Sequence, residues 1–163
     1  MRASVAHARS LLMRSETSLR DAIHQLSAPE DRVDLVTRMR GTVLDVAHEF
    51  GLPIDLVVGR GVAERGRLLP ASTAEALLRA ARELMVNAAK HGGPQHIEVA
   101  VRVQADRMSV VVEDDGVGFP TGGHEGYGLR ATRRTLHEVR GLLRIARRRP
   151  PRVVVSVPLP VDG

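Results

Sequence analysis

The chain has 163 residues, 43% hydrophobic and 26% charged, which excludes a disordered protein and fits one domain or one domain with a helical appendage. It has no cysteine, which excludes a disulfide scaffold, Cys-ligated zinc, iron–sulfur clusters and thiol catalysis. The net charge of +5 comes from 23 Arg and one Lys spread along the chain, and only Phe50, Phe119 and Tyr127 could stack on bases, so direct nucleic-acid binding is set aside.

Residues 4–26 read as one long helix. Val5, Ala8, Leu12, Ser15, Leu19, Ala22 and Leu26 follow a near-heptad pattern, widened by Leu11 and Ile23. Such a stripe needs a partner, either the rest of the chain or a second copy. Pro29 disfavours helix at the residue before it, so a boundary falls there. It separates a helical segment, 1–30, from a larger domain, 31–163. Asp31 can cap a second helix over 32–49, with Val33, Val36, Leu44 and Val46 among its apolar positions and Gly51 at its end. Residues 54–58 (IDLVV) are a short strand, and 59–70 a polar loop.

The best-marked helix follows. Ser72-Thr-Ala-Glu75 has the spacing of a capping box, in which hydroxyl and carboxylate each satisfy a free backbone N–H. Leu77, Leu78, Ala81, Leu84, Met85 and Ala88 form its buried stripe, and Gly92-Gly93 ends it. Ile97, Val99, Val101 and Val103 then alternate with Glu98, Ala100 and Arg102. Met108, Val110 and Val112 alternate with Ser109, Val111 and Glu113, and the intervening Gln104–Arg107 suits a hairpin. A Gly-rich loop runs from Asp114 to Gly128. A helix over 128–139, a strand near 142–146 and a strong strand at 152–157 close the chain. This order predicts an α/β (α+β) fold, a two-layer sandwich of a mixed sheet with helices on one face.

Three segments carry chemistry. In Glu83-x-x-x-Asn87-x-x-Lys90-His91 the first three named residues share one helix face. Asn offers a neutral oxygen to a hard cation, Lys a positive charge to phosphate, and Glu can orient or deprotonate a nucleophile. Asn87 and Lys90 are the only Asn and Lys in the chain. Alone, this segment is equally a solvated helix face. Asp114-Asp115-Gly116-Val117-Gly118-Phe119 follows a strand. A carboxylate there can accept from an exocyclic amine such as that of adenine, and the glycines let backbone approach a flat ring; a simple Asp-Gly turn is the alternative. Gly126-Tyr127-Gly128-Leu129 opens a helix whose free N–H groups could cradle a phosphate; a plain loop is the alternative, since Gly-x-Gly alone is a weak signal.

Together, in this order and spacing, the three resemble the nucleotide-binding boxes of the GHKL ATPase superfamily: gyrase B, the ninety-kilodalton heat-shock chaperones, MutL and the sensor histidine kinases. The match covers about 72–160. ELMVNAAKHGG, VVVEDDGVGF, GYGLRATRRTL and VVVSVPLP sit where histidine kinases that partner NarL-type response regulators have their N box, two Gly boxes and final strand. RDAIHQLSAPE resembles the end of that family's second bundle helix, and GLPIDLVV its first ATPase-domain strand. The resemblance implies the histidine kinase-like ATPase (Bergerat) fold and a histidine protein kinase with ATP and Mg2+ as cofactors. Asn87 would ligate magnesium, and Glu83 would act in catalysis by orienting that site or activating a nucleophile. Lys90 would approach phosphate and Asp114 the adenine amine. Gly116 and Gly118 would shape the pocket. Gly126 and Gly128, with Leu129 completing the box, would close a short lid, 119–126, over the phosphates. Implied partners are a response regulator and a second copy joined through the N-terminal helix.

Two features depart from the family. Its phosphoacceptor, a His followed by an acidic residue in the first bundle helix, has no counterpart. His7 and His24 lack the acidic neighbour; His48, His124 and His137 have it but lie in the wrong elements. The chain is thus expected to begin after that helix and to act on a His supplied elsewhere. A Gly-x-Gly-Thr turn is replaced by Arg148-Arg-Pro-Pro-Arg152, which predicts a changed turn. No apolar run approaches the ~20 residues of a membrane span, and the N-terminus lacks a signal-peptide core. A cytoplasmic location follows, with any membrane attachment through other segments. A non-catalytic ATP-binding regulatory module and an anti-sigma-type serine kinase are the competing readings.

Overall fold

Leu35, Met39, Val43 and Val46 recur at helical spacing and are buried along one side of α1 (Leu35–Phe50). A computed structural model of the chain describes residues 34–117, 126–146 and 150–160, all within the compact unit Arg32–Gly163. The helix expected over 4–26, the boundary after it and the expected cap Asp31 lie outside the described residues.

The cap of α1 is Asp34. Its carboxylate accepts from Thr37 N at 3.2 Å and from the Thr37 hydroxyl at 2.8 Å. Those bonds hold the Asp34 carboxyl below the ordinary carboxylate value of 3.8. A lowered value means that the ionised group stabilises the fold above the ordinary pKa, and that this contribution is lost as pH falls through the lowered one. Asp34→Ala should therefore lower the thermal midpoint at pH 7, and the two midpoints should converge on acidification below pH 3.8. Thermal melts of both proteins across that range check it. Leu44, expected to be apolar-facing, is 69% exposed. Successive helical residues rotate by about 100°, so with Val43 turned to the core Leu44 cannot follow it. Gly51 ends the helix at φ 60°, in the left-handed region that glycine adopts without strain.

β1 (Ile54–Val58) comes next, as expected. The polar loop expected over 59–70 instead contains a short helix, α2 (Val62–Gly66), because Val62 and Leu69 supply apolar anchors that are buried. Gly66 lies so close to Leu35 that a Cβ on it would stand 3.2 Å from that residue's Cβ. α3 (Ala71–Asn87) starts at Ala71 with Pro70 as its N-cap, two residues before the expected cap Ser72. Pro70, at φ −54° and ψ 144°, brings the chain into the helix, so Ser72 is already helical and caps nothing. Glu75 is paired with Arg38 of α1 instead. The predicted stripe is otherwise sound: Leu77, Leu78, Ala81, Leu84 and Met85 are buried, and Ala88 is half-buried against them. The last turn widens into a π-helical segment, Ala88–Gly92, ended by Gly93 at φ 56°.

β2 (Ile97–Gln104) and β3 (Arg107–Asp114) form the expected hairpin, turning through Ala105 and Asp106. After α4 (Tyr127–Glu138), β4 (Leu142–Ala146) and β5 (Arg152–Pro158) complete a five-stranded sheet in the order β1-β2-β3-β5-β4. β1 and β2 are parallel and every other pair is antiparallel, so the sheet is mixed. The period-two pattern puts Ile97, Val99, Val101, Met108, Val110, Val112, Val153, Val155 and Val157 in one core with the helices. The hairpin register ends with Ile97 opposite Asp114, which sets that carboxylate at the end of a central strand. No helix among the described residues is long and apolar enough to cross a membrane.

Candidate functional site

Glu83 and Asn87 sit one turn apart near the C-terminal end of α3, and their side chains meet. Asn87 Nδ2 donates to Glu83 Oε1 at 3.1 Å, which leaves Asn87 Oδ1 as an acceptor. The N-terminus of α4 rests on this pair. A Cβ on Gly128 would stand 1.9 Å from Glu83 Oε1 and 3.8 Å from Asn87 Nδ2, so only glycine lets the helix come this close. Among the described residues no side chain caps α4, whose N-cap is Gly126. Its first N–H groups therefore have no side-chain partner among those residues and form a suitable cradle for an anion. Gly126 itself, at φ −61° and ψ 164°, has a backbone that any residue adopts, and a Cβ there would meet open space. Leu129 is buried in the core and anchors this first turn. A cavity of about 300 Å³ opens beside Glu83 between α3 and α4, with Ala80, Tyr127 and Thr132 among its walls. It borders the Glu83 end of the site, and Asp114 is not in its lining.

Asp114 forms the second part. It is buried, and its Oδ1 accepts from Gly116 N at 2.9 Å, while its own N–H donates to Pro151 O at 3.3 Å. Burial raises the Asp114 pKa above 3.8; the Gly116 N–H opposes this, and the charges of Asp115 and Glu113 add to the rise. The chain around it is tightly packed. A Cβ on Gly116 would lie 2.3 Å from Gly92 O and 2.8 Å from Asp114 Oδ1. This is a partly dry carboxylate held by one oxygen, an arrangement suited to accepting from a flat amine-bearing ring.

Lys90 is exposed on the π-helical turn and has no hydrogen-bond or ion-pair partner among the described residues. The wider turn shifts it from the α-helical phase that a shared face with Glu83 and Asn87 assumed. Gly118 and the expected lid up to residue 125 lie outside the described residues.

Three participants were not singled out from the sequence. Gly92, read only as a helix stop, accepts the Val117 N–H at 2.9 Å, and a Cβ on it would stand 3.2 Å from Asp114 Oδ1. The Gly-Gly pair was the available signal: Gly93 supplies the left-handed turn, which leaves Gly92 free to serve close approach. Pro151, just before β5, is buried and supplies the carbonyl for Asp114 N. Asp115 is bonded to the segment before β2, through Gln95 N and His96 N.

No cluster of three or more His, Asp or Glu that could hold a metal ion exists among the described residues. The donor set instead suits an ion arriving on a polyphosphate. Mg2+ keeps water and phosphate oxygens around it and takes only one or two protein oxygens, and Asn87 Oδ1 offers one.

Residues 72–162 match the family of histidine kinase-, DNA gyrase B- and HSP90-like ATPases. The signal transduction histidine-protein kinase/phosphatase UhpB of Salmonella typhimurium is 35% identical over 83 residues, covering 50% of this chain and 17% of UhpB. The nitrate/nitrite sensor protein NarX of Escherichia coli is 30% identical over 106 residues, covering 64% of this chain and 17% of NarX. The chain thus spans 17% of the length of each of these relatives. Among solved structures, the histidine kinase domain of the blue-light activated histidine kinase EL346 of Erythrobacter litoralis has the same fold. It superposes with a TM-score of 0.69 at 20% identity, covering 84% of this chain and 68% of that one. With more than half of the chain inside the matched region, this protein belongs to the histidine kinase-, DNA gyrase B- and HSP90-like ATPase family.

Proposed function

We propose that the domain binds Mg-ATP and transfers its γ-phosphoryl group to a histidine on a separate helix, as the catalytic part of a two-component sensor kinase. The observation that carries this reading is the seating of the α4 N-terminus on the Glu83–Asn87 pair through Gly128. It supports the reading because a helix start suited to an anion, an amide oxygen suited to a hard cation and a carboxylate able to accept a proton lie close together.

The roles follow from the chemistry of each group. Asp114 accepts from the adenine amine, with Gly116 and Gly118 shaping the pocket. Asn87 holds the magnesium ion, whose charge offsets that of the phosphates. Lys90 supplies a second positive charge, and Gly126, Gly128 and Leu129 form the helix start that receives the phosphates. In the transfer the bond from the γ-phosphorus to the bridging oxygen breaks, and its electron pair leaves on ADP. A P–N bond forms to the neutral imidazole, and the imidazole N–H proton passes to the Glu83 carboxylate. The phosphoryl group then passes to a response regulator, and residues 1–30 pair two copies. The family match, with histidine kinases among the relatives, supports this over a non-catalytic module.

Glu83→Gln separates binding from chemistry. The amide oxygen of Gln can still accept from Asn87 Nδ2, so Mg-ATP affinity should hold within about twofold. Phosphoryl transfer to an added His-bearing helix should fall by roughly 10²–10⁴, the usual contribution of a proton-transfer group. Calorimetry and acid-labile phosphate on the acceptor measure the two effects. Transfer at the parent rate by Glu83→Gln would remove Glu83 from the chemistry, and a folded parent chain that takes up no Mg-ATP would overturn the reading as a whole.

A further inference from the structure

Asp114 and Asp115 are adjacent but face opposite ways. Asp114 turns into the site and is buried, whereas Asp115 is exposed at the end of β3. The regular β2–β3 ladder stops at the Ile97–Asp114 pair. Beyond it, Asp115 holds the end of β3 to the segment that leads into β2. Its Oδ1 accepts from Gln95 N at 2.8 Å and His96 N at 3.0 Å, and its own N–H donates to His96 O at 3.4 Å. His96 carries the brace further, since its Nε2 lies 3.0 Å from Asp55 Oδ2 on β1. Two residues after Asp115, Val117 N is fixed to Gly92 O. The peptide that donates Gly116 N to Asp114 Oδ1 thus lies between two anchors, and one of them is the Asp115 carboxylate.

We infer that Asp115 is a positioning residue for the base-recognising carboxylate: by clamping the start of β2 it fixes where the free oxygen of Asp114 points, and so sets base selectivity. This rests on the nucleotide reading above. Two consecutive backbone N–H groups converge on a single carboxylate oxygen, and they hold the Asp115 carboxyl below its ordinary value. The clamp is solvent-exposed, so it adds little to global stability. What it does control is local. A hydrogen bond to a base edge discriminates only if the acceptor is held in place, and discrimination between bases depends on unpaired groups being left in the wrong complex.

The test compares Asp115→Ala with Asp115→Asn in the full chain. Asn keeps an oxygen that can accept both N–H groups; Ala does not. Asp115→Ala should weaken Mg-ATP binding about tenfold and bring the ATP-to-GTP affinity ratio near one. It should leave binding of Mg-tripolyphosphate within twofold of the parent, and Asp115→Asn should restore most of the ATP preference. Amide hydrogen exchange at Gly116 and Val117 should quicken in Asp115→Ala and remain near the parent rate in Asp115→Asn. An unchanged ATP-to-GTP ratio in Asp115→Ala would overturn the inference. So would equal losses of ATP and tripolyphosphate without rescue by Asn, since a general structural role would produce that pattern. A parent chain that binds no Mg-ATP overturns the nucleotide reading and the selectivity claim with it. The exchange rates then still decide whether Asp115 orders the Asp114 loop.

Discussion

Asp114→Asn should bind Mg-ATP roughly ten- to hundredfold more weakly than the parent chain while folding at least as stably. A hydrogen bond to a charged acceptor contributes about 1.5–3 kcal/mol, which corresponds to that range in affinity. The Asn oxygen can replace Asp114 Oδ1 as the acceptor for Gly116 N, so the loop keeps its internal bond. The Asn amide then faces the adenine amine, donor against donor. Stability moves the other way. The folded-state pKa of Asp114 is raised above 3.8, chiefly by burial, so protonation favours the fold. That contribution is complete below the unfolded pKa and is lost as pH rises through the folded one. At neutral pH the ionised carboxylate is therefore a local cost, and its neutral isostere removes it. Two further results follow. Mg-ATP affinity of the parent should fall as acidification protonates Asp114, because a protonated carboxyl no longer offers the charged acceptor. In Asp114→Asn the ATP-to-GTP preference should narrow, since the carbonyl of guanine meets the new amide favourably. Calorimetric titrations at two pH values, with thermal melts of both proteins, check these results. Equal ATP affinity in parent and variant would remove Asp114 from base recognition.

Those elements that rest on one dominant local pattern were legible from the sequence. Alternating valines located β2, β3 and β5, and the Leu77–Met85 stripe located α3, because burial on one side imposes its period on the residues. The differences arise where two local signals compete. At the start of α3, Pro70 outweighed the Ser72–Glu75 spacing, and the tertiary partner Arg38 took the carboxylate that a capping box would have used. In α1, Asp34 was the nearer cap, with Thr37 one turn on to meet it. α2 was hidden because its five residues are too few to show a period. In the site, the sequence named Glu83, Asn87 and Asp114, residue types whose chemistry is apparent without coordinates. Gly92 and Pro151 act through carbonyl oxygens and through the absence of a side chain. Nothing in residue type announces a backbone acceptor, so their part became visible only when the chain was folded.

Gly116→Ala and Gly128→Ala should fail in opposite ways. At Gly116 a new methyl group would meet Gly92 O at 2.3 Å and Gly92 C at 2.8 Å, both of them backbone atoms that cannot rotate aside. The strand end must then move away from the π-helical turn, breaking the Val117 N to Gly92 O bond at 2.9 Å. Overpacking of this kind costs about 1–3 kcal/mol, and the lost bond about another 1 kcal/mol. For a chain of this size that lowers the thermal midpoint by roughly 5–15 °C. Gly116 is not among the residues with positive φ, so close approach rather than backbone conformation selects glycine here. At Gly128 the obstacle is Glu83 Oε1 at 1.9 Å, the far end of a side chain with three rotatable bonds. Glu83 can swing away, and alanine is the better helix former by about 1 kcal/mol, so the midpoint should change little. The displaced carboxylate abandons Asn87 Nδ2, however, and with it the placement of both groups against the α4 N-terminus. Phosphoryl transfer should then fall by about 10² or more, since a misplacement of about 1 Å costs that much in an oriented reaction. Melting curves beside transfer assays on both variants test the contrast. A Gly128→Ala protein that transfers phosphate at the parent rate would show that the closeness of α4 to Glu83 has no part in the chemistry.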